Sequence, residues 1–244
     1  VFRSTPLMLA AVAGNAPLVQ ALLDKGADPQ RRDDFGHTAW DGAVSRALQE
    51  PGFVATGLPA VFPLLAPAAL DVQVDGRLVR LERRQGEYWV LTVMLAGLKT
   101  QWSCCVTRTV EPHKYPRGFF AEQLHEVLAQ LPAWLWADKR RKRSYVNQVL
   151  ARAEVSSAYQ PARKLWARAS NGHYLPNPAL LLRRGDAWAP VYELMALDWI
   201  DRGCGDGELY RPKPRELVAR LGTVSSEDPD GDDASASAPN EGPV

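Results

Sequence analysis

The residues whose side chains can do acid–base, nucleophilic or metal chemistry are few in this 244-residue chain, and they are scattered. No histidine stands at a ligand spacing from a cysteine or a carboxylate, as a zinc site would require. The chain also lacks a glycine-rich phosphate loop, a dinucleotide fingerprint and a Gly-x-Ser-x-Gly elbow. We therefore predict that the protein is not an enzyme and holds neither a metal ion nor a cofactor. The histidines are His37, His113, His125 and His173, and the cysteines are Cys104, Cys105 and Cys204.

The cysteines indicate reduced thiols rather than a disulfide framework. Their number is odd, and Cys104 and Cys105 are adjacent in a segment that we predict to be a strand, so that their side chains point to opposite faces. Free cysteines are among the most buried residue types, which favours core positions over a nucleophile. Reduced thiols are typical of the cytoplasm, and we predict that location.

A run of five basic residues is the strongest candidate for a binding site outside the N-terminal region. In one interpretation it is a solvated turn between two helices. In the other it joins further lysines and arginines to form a face that binds the phosphates of DNA or RNA. The run consists of Lys139, Arg140, Arg141, Lys142 and Arg143, and the further residues are Arg163, Lys164, Arg168, Arg183 and Arg184.

The elements around this run would have to bring the basic residues together. Apolar residues at helical spacing predict a helix that begins at Ser144 and a second helix over 162–169. Two strands, 174–182 and 188–194, then flank a turn with the sequence Arg-Arg-Gly-Asp. A helix-turn-helix followed by a basic-tipped hairpin is similar in architecture to a winged helix, although no motif of a particular winged-helix family is present.

Residues 5–48 carry the most specific pattern in the chain. Residues 5–11 read Thr-Pro-Leu-Met-Leu-Ala-Ala, with a hydroxyl able to cap a helix and a proline in its first turn. A Gly-Asn turn follows, and the leucines and valine of residues 18–23 recur at helical spacing. Gly26 stands just past the predicted end of the second helix, as a C-cap glycine does. The pattern predicts two antiparallel helices.

This pattern resembles the ankyrin repeat, and Thr38 restarts it one repeat period of about 33 residues after Thr5. Met8 stands where the family usually has histidine, and residues 38–48 depart further, as a terminal repeat does. The resemblance implies a stack of helical repeats. Because the chain enters the pattern inside a repeat, we expect either further repeats before Val1 or a following domain that covers the open face.

Ankyrin repeats bind other proteins through hairpin tips and inner helices, so the resemblance implies a protein partner. The alternative is that the tip does not bind a partner and is a solvent-exposed turn that caps the repeat. By matching positions, the tip residues implied here are Gln30, Arg31, Arg32, Asp33, Asp34, Phe35 and His37.

From residue 70 onward the pattern changes from helical to alternating. Asp75-Gly76 is a strong hairpin signal between two alternating segments. We predict a four-stranded antiparallel meander over 70–110, with its third strand, 88–95, the most buried. An amphipathic helix over 120–135 is expected to cover one face of that sheet.

Composition supports a folded chain with an α+β class, because 46% of its residues are hydrophobic and eight are tryptophan. No run is apolar enough and long enough to span a bilayer, so no membrane contact is predicted. The residues after 220 are acidic and nearly devoid of apolar side chains.

The predicted domain organisation has four parts. We predict ankyrin repeats at 1–48 and a proline-rich connection at 49–69 that lies against the last ankyrin helices. An α+β domain follows at 70–220, in which residues 139–200 form the helix-turn-helix and hairpin, and a disordered acidic tail is predicted at 221–244.

Two functions from different classes follow from these features. The first is a protein-interaction adaptor without catalysis, in which the ankyrin end holds a protein partner. The second is a nucleic-acid-binding regulator that uses the basic segment 139–194. Retardation of a nucleic acid duplex at low salt separates them, because phosphate contacts weaken steeply as salt rises.

Overall fold

The computed structural model of the chain describes residues 3–34, 36–107, 118–170 and 172–195. Its helices and two antiparallel sheets confirm the α+β class. The predicted acidic tail at 221–244 lies outside the described residues. In chain order the elements are α1 (Pro6–Val12), α2 (Ala16–Asp24), α3 (Ala39–Gln49), α4 (Pro51–Ala55), α5 (Gly57–Leu65), β1 (Ala69–Val74), β2 (Arg77–Glu82), α6 (Gly86–Thr107), β3 (Phe119–Phe120), α7 (Ala121–Ala129), α8 (Arg143–Ala153), β4 (Trp166–Ser170), β5 (His173–Pro176), β6 (Leu181–Arg184), β7 (Ala187–Pro190) and α9 (Val191–Leu194).

The predicted antiparallel helix pair is present as α1 and α2. The Thr5 hydroxyl accepts the Met8 N–H at 3.2 Å, and Met8 Sδ accepts the Thr5 N–H at 3.3 Å, so methionine completes the cap from the position where the family has histidine. Gly14 turns the chain with a φ of +70°, and Asn15 caps α2. Gly26, with a φ of +84°, ends it as predicted.

Residues 51–65 are helical rather than an irregular connection. Pro51 occupies the first turn of α4 and Pro59 the first turn of α5, where a missing N–H breaks no helical hydrogen bond. Of the three prolines in residues 51–65, Pro63 is the one that lies in the interior of a helix. α5 packs on α2 and α3, while α1 packs on α3, so this segment lies against the helices that precede it, as predicted.

The first two predicted strands form a hairpin, and the rest of the predicted meander is wrong. β1 and β2 pair antiparallel around Asp75 and Gly76, whose φ values of +50° and +73° are those of a tight hairpin turn. The next partner of β1 is not residues 88–95 but the distant strand β6, which gives the sheet order β2-β1-β6-β7.

Helix α6 stands in place of the predicted third and fourth strands. Residues 88–98 are buried on every side, so their sequence shows neither alternation nor a helical stripe. Such a run does not distinguish a buried strand from a buried helix by pattern alone. Cys104 and Cys105 therefore lie in a helix and not in a strand. Across the described ranges, no helix combines the length and apolar character needed to cross a membrane.

The segment predicted as helix-turn-helix contains only its first helix within the described residues. α8 forms as predicted, although Lys142 rather than Ser144 precedes it. The predicted second helix at 162–169 is instead strand β4, which pairs with β5 in a second sheet of order β3-β5-β4. The predicted hairpin turn at Gly185 is confirmed, but its strands, β6 and β7, are shorter than predicted. Residues 173–176 form β5 of the other sheet, and residues 191–194 form α9. Within residues 139–170 and 172–195, the helix-turn-helix of the predicted winged-helix arrangement therefore does not form.

Aromatic side chains join the N-terminal helices to the rest of the fold. Trp89 of α6 stacks on Phe62 of α5, with ring centroids 5.6 Å apart, and meets Trp40 of α3 edge-on at 6.3 Å. Its indole N–H donates to the Arg83 carbonyl at 3.0 Å. Because all three rings are buried in one continuous core, the helices at 39–65 and α6 are expected to unfold together.

Two buried phenols predict a loss of stability in alkali. Tyr88 donates to the Pro67 carbonyl at 3.1 Å and Tyr192 to the Pro176 carbonyl at 2.9 Å. Burial raises the pKa of both hydroxyls above the ordinary value for tyrosine. As the pH rises, the unfolded chain therefore loses these protons at a lower pH than the folded chain. The free energy of unfolding keeps its full value below about pH 10 and falls above it by up to about 1.4 kcal/mol per pH unit for each tyrosine.

Urea unfolding measured at several values on either side of about pH 10 checks this expectation. The variant Y192F should show a shallower decline than the wild type, because one of the two titrating groups is gone. An unchanged slope in Y192F would contradict the assignment.

Candidate functional site

The predicted binding tip is the loop between α2 and α3, and its backbone is closed by its own hydrogen bonds. Asp28 Oδ1 accepts the Gln30 N–H at 2.8 Å and so starts the loop with a local turn. Asp33 donates its N–H to the His37 carbonyl at 3.0 Å, and its carboxylate accepts the His37 N–H at 2.9 Å. The loop is therefore a defined hairpin.

Arg32 fixes this hairpin to the start of α3. Its guanidinium donates to the Gly36 carbonyl at 2.5 Å and to Asp41 Oδ2 at 3.1 Å, and both charged side chains are largely buried. Asp41 Oδ2 also accepts the N–H of Thr38 at 3.0 Å and its hydroxyl at 2.9 Å. The Asp41 carboxylate thus caps α3 and anchors the tip. Arg32, which binds this carboxylate, therefore has a structural role.

Replacing Asp41 is expected to loosen the tip and the helix together. D41A removes three hydrogen bonds and leaves the Arg32 guanidinium without its carboxylate, which should lower the free energy of unfolding by about 2 kcal/mol. Urea denaturation followed by circular dichroism measures this loss. D186A is the control, since Asp186 pairs with Arg183 only at 3.9 Å and is fully exposed, so its midpoint should not move. Equal midpoints for the two variants would contradict the anchoring role of Asp41.

The remaining tip residues differ in exposure. Gln30 and Arg31 are exposed, whereas Asp33, Asp34 and His37 are half-buried. Asp34 pairs with Arg3 at 2.6 Å. Phe35 lies outside the described residues. Among the described tip residues, Gln30 and Arg31 are therefore the two that are exposed.

The opposite side of the tip is covered by the C-terminal part of the fold. Gly36 is buried with a φ of +75°, and a Cβ added there would lie 2.5 Å from the Leu194 carbonyl oxygen and 2.8 Å from Met195 Cα. The loop is thus held between α3 and the end of α9. This contact closes one side of the loop to a partner.

The basic run at 139–143 does not form a free cationic stripe. Arg141 is turned inward, where its guanidinium donates to the carbonyls of Ala129 and, at 2.6 Å, of Leu131, and its Nε to Asp138 at 2.8 Å. It joins the end of α7 to the start of α8. Of the others, Arg140 lies over the rings of Trp136 and Tyr145, Arg143 is 3.6 Å from Glu122, and Lys139 and Lys142 are exposed.

Four of the five further basic residues predicted for nucleic acid binding are paired with carboxylates of the protein. The pairs are Arg163 with Glu87 at 3.2 Å, Lys164 with Asp75 at 2.9 Å, Arg168 with Glu154 at 3.2 Å and Arg183 with Asp186 at 3.9 Å. Arg184 lies in β6. The predicted second helix does not form, so it does not present Arg163, Lys164 and Arg168 to a groove.

The described histidines are apart from one another. The Nε2 atom of His125 lies 2.6 Å from the carbonyl oxygen of Arg141. His173 is buried, and its ring centroid lies 3.6 Å from that of Phe120. His113 and Cys204 lie outside the described residues. Within the ranges that the structure covers, no group of three or more His, Cys, Asp or Glu side chains is placed to hold a metal ion.

Sequence reasoning missed Asp41 and Gly36, the two residues that position the tip. Thr38 and Asp41 have the spacing of a capping box, a signal that was available in the sequence. The burial of Gly36 had no local signal, because its neighbours Leu194 and Met195 are distant in the chain.

Comparison with known proteins identifies the N-terminal unit. Residues 3–34 match the family model of the ankyrin repeat. No curated protein and no solved structure matches the chain. The match covers α1, α2 and most of the tip, which are the elements whose caps and turns follow the predicted pattern. Residues 3–34 of this chain are therefore an ankyrin repeat.

Proposed function

We propose that the chain is a protein-interaction adaptor, in which the ankyrin repeat at 3–34 presents its tip to a protein partner. We also propose that residues 38–65 are a second, divergent repeat. In support, α3 packs beside α1 and α5 packs beside α2, which is the arrangement of paired helices in neighbouring repeats. The α+β region then supports the repeats through α6 and α9.

The observation that carries this proposal is a rigid tip with two exposed side chains. The Arg32–Asp41 pair and the contact of Gly36 with α9 fix the loop backbone, while Gln30 and Arg31 stay exposed. Binding to a preformed loop avoids the entropy cost of ordering it. Arginine is also enriched among the residues that dominate binding energy at protein interfaces.

Exposed apolar side chains add to the case for a partner surface. Leu9 of α1 and Leu18 of α2 are 64% and 46% exposed, although both helices bury their opposite faces. An exposed leucine is ordinary by itself. Leu9 and Leu18, which lie on the two helices before the tip, would add apolar area to the polar contacts of Gln30 and Arg31, and interfaces usually combine both.

Binding without catalysis, in a reduced cytoplasmic setting, is the function that we favour over a nucleic-acid-binding regulator. The proposal rests on the scattered histidines and on the pairing of Arg163, Lys164 and Arg168 with the protein's own carboxylates. Each such pair reduces the charge available to a phosphate. The same pairs lower the expected salt dependence of any binding to nucleic acid.

Site-specific cross-linking tests the adaptor proposal. A photoreactive side chain introduced at Gln30 is expected to yield discrete cross-linked proteins in an extract of the source cells. The same group at Arg80, an exposed position on β2, is the control and should not yield those products. Identical products from both positions, or no product from position 30, would contradict the proposal. Retardation of a duplex by the purified protein at low salt would favour the regulator instead.

A further inference from the structure

A cavity outside the ankyrin repeat lies between the β1–β2 hairpin and the segment 160–164. Its volume is about 370 Å³, within the range of small-molecule binding sites. Val74 and Val79 lie on the face of the hairpin that also buries Val72, so the cavity opens against the inner side of the sheet. Together with Ala162, these valines provide an apolar wall.

Charged side chains surround the polar part of the cavity. Arg77, Arg163 and Lys164 contribute three positive charges and Asp75 one negative charge, so the lining carries a net charge of +2 (three minus one). Glu87, which pairs with Arg163 at 3.2 Å from outside the lining, lowers the net charge of the site to +1. Arg77 makes no ion pair with any described residue and is exposed, so its guanidinium is available to an anion.

Lys164 joins the two sides of the cavity lining. Lys164 has a φ of +51°, a left-handed conformation that costs a non-glycine residue about 1 kcal/mol or more. Its carbonyl accepts the buried Asn177 side-chain N–H at 2.7 Å, and its ammonium lies 2.9 Å from Asp75 Oδ2, across the cavity. The two sides of the cavity are thereby joined.

We propose that this cavity binds a small phosphate monoester that carries an apolar group. The apolar group lies on Val74, Val79 and Ala162, and the phosphate accepts hydrogen bonds from Arg77. Lys164 adds ammonium N–H donors that its hydrogen bond to Asp75 does not use. A phosphate monoester has three strong acceptor oxygens against two for a carboxylate, so that one phosphate group is able to accept hydrogen bonds from Arg77 and Lys164 together. The planar guanidinium of Arg77 also matches two phosphate oxygens at once.

Titration with phenyl phosphate tests the proposal on the full chain. Amide NMR shifts are expected to change saturably at residues 74–79 and 160–164, with a dissociation constant of about 1 mM for so small a probe. Phenylacetate, which keeps the ring and has one charge, and inorganic phosphate, which lacks the ring, should each bind more weakly. Phenol should not produce saturable shifts at these residues.

Two arginines of β2 supply a matched pair of variants. R77Q should weaken phenyl phosphate binding about tenfold, because it removes a charge-assisted hydrogen bond. R80Q changes the net charge equally on the opposite face of the strand, next to Asp71, and should leave the affinity within about twofold. A162F, which fills the cavity, should abolish binding. Thermal melting of each variant shows that it is folded.

Three results would overturn the proposal. The first is the absence of saturable shifts at 74–79 and 160–164 in the folded wild type. The second is an equal loss of affinity in R77Q and R80Q, which would indicate attraction by net charge alone. The third is equal binding of phenyl phosphate and phenylacetate, which would show that the site does not select the phosphate group.

Discussion

The variant W89A is expected to lose about 3 to 5 kcal/mol of unfolding free energy, the largest effect of a single substitution that we predict. Trp89 is 1% exposed and contacts Trp40, Phe62 and Tyr88. Its truncation leaves a cavity that these large rings have little freedom to fill. It also leaves the Arg83 carbonyl without the indole N–H that donates to it.

Trp134 provides the control for W89A, because it meets the same Phe62 ring from the solvent side. Its centroid is 5.7 Å from that of Phe62, against 5.6 Å for Trp89, but it is 64% exposed. W134A should therefore cost less than about 1 kcal/mol. Urea unfolding followed by far-UV circular dichroism measures both variants. Similar losses would contradict the placement of Trp89 between α3, α5 and α6.

The variant G36A is expected to lose about 3 kcal/mol, from backbone strain and from a clash with another part of the chain. A side chain at this φ of +75° is strained in any surroundings. In addition, its Cβ would lie 2.5 to 2.9 Å from backbone atoms of Leu194 and Met195, which cannot rotate away. The substitution should therefore push the tip from the end of α9.

The variant G26A separates these two causes. Gly26 has a similar φ of +84°, but a Cβ there would meet nothing within 4 Å. G26A should cost only the strain, about 1 kcal/mol. Hydrogen exchange at residues 191–195 adds a second measurement, since only G36A should increase it. Equal stability losses and unchanged exchange would mean that the tip is not packed on α9.

The ankyrin helix pair was predictable because several independent signals agree at each of its boundaries. Thr5 and Pro6 begin α1, a Gly-Asn turn separates the helices, and Gly26 ends α2. Each signal acts within a few residues of the chain. The start of α3 at Thr38 was predictable for the same reason.

The later elements were predicted less well because their conformation depends on distant partners. Residues 88–98 are buried on all sides, which hides the helical period of α6. The predicted helix at 162–169 has apolar residues at helical spacing, yet the antiparallel pairing of Trp166–Ser170 with β5 overrides that local pattern. The prolines of 51–65 suggested a connection, although most of them stand where a helix tolerates proline.

The loop that we propose as the binding tip could be located from the sequence, but the exposure of its side chains could not. Matching positions gave the loop residues, and the structure separates them into the anchoring Arg32 and the exposed Gln30 and Arg31. That distinction depends on Asp41, which the sequence pattern places on a helix cap, and on the approach of Met195 to Gly36, for which the sequence has no local signal. The domain boundaries at 48, 69 and 220 stay predictions.

The most direct test of the adaptor function is the affinity of a cross-linked partner, once purified, for variants of the tip. Isothermal titration should show that R31A weakens binding at least about tenfold, whereas R80A, which removes an exposed arginine far along the chain from the tip, does not change it. An unchanged affinity for R31A, with the partner still bound by the full chain, would contradict the assignment of the ankyrin tip as the binding surface.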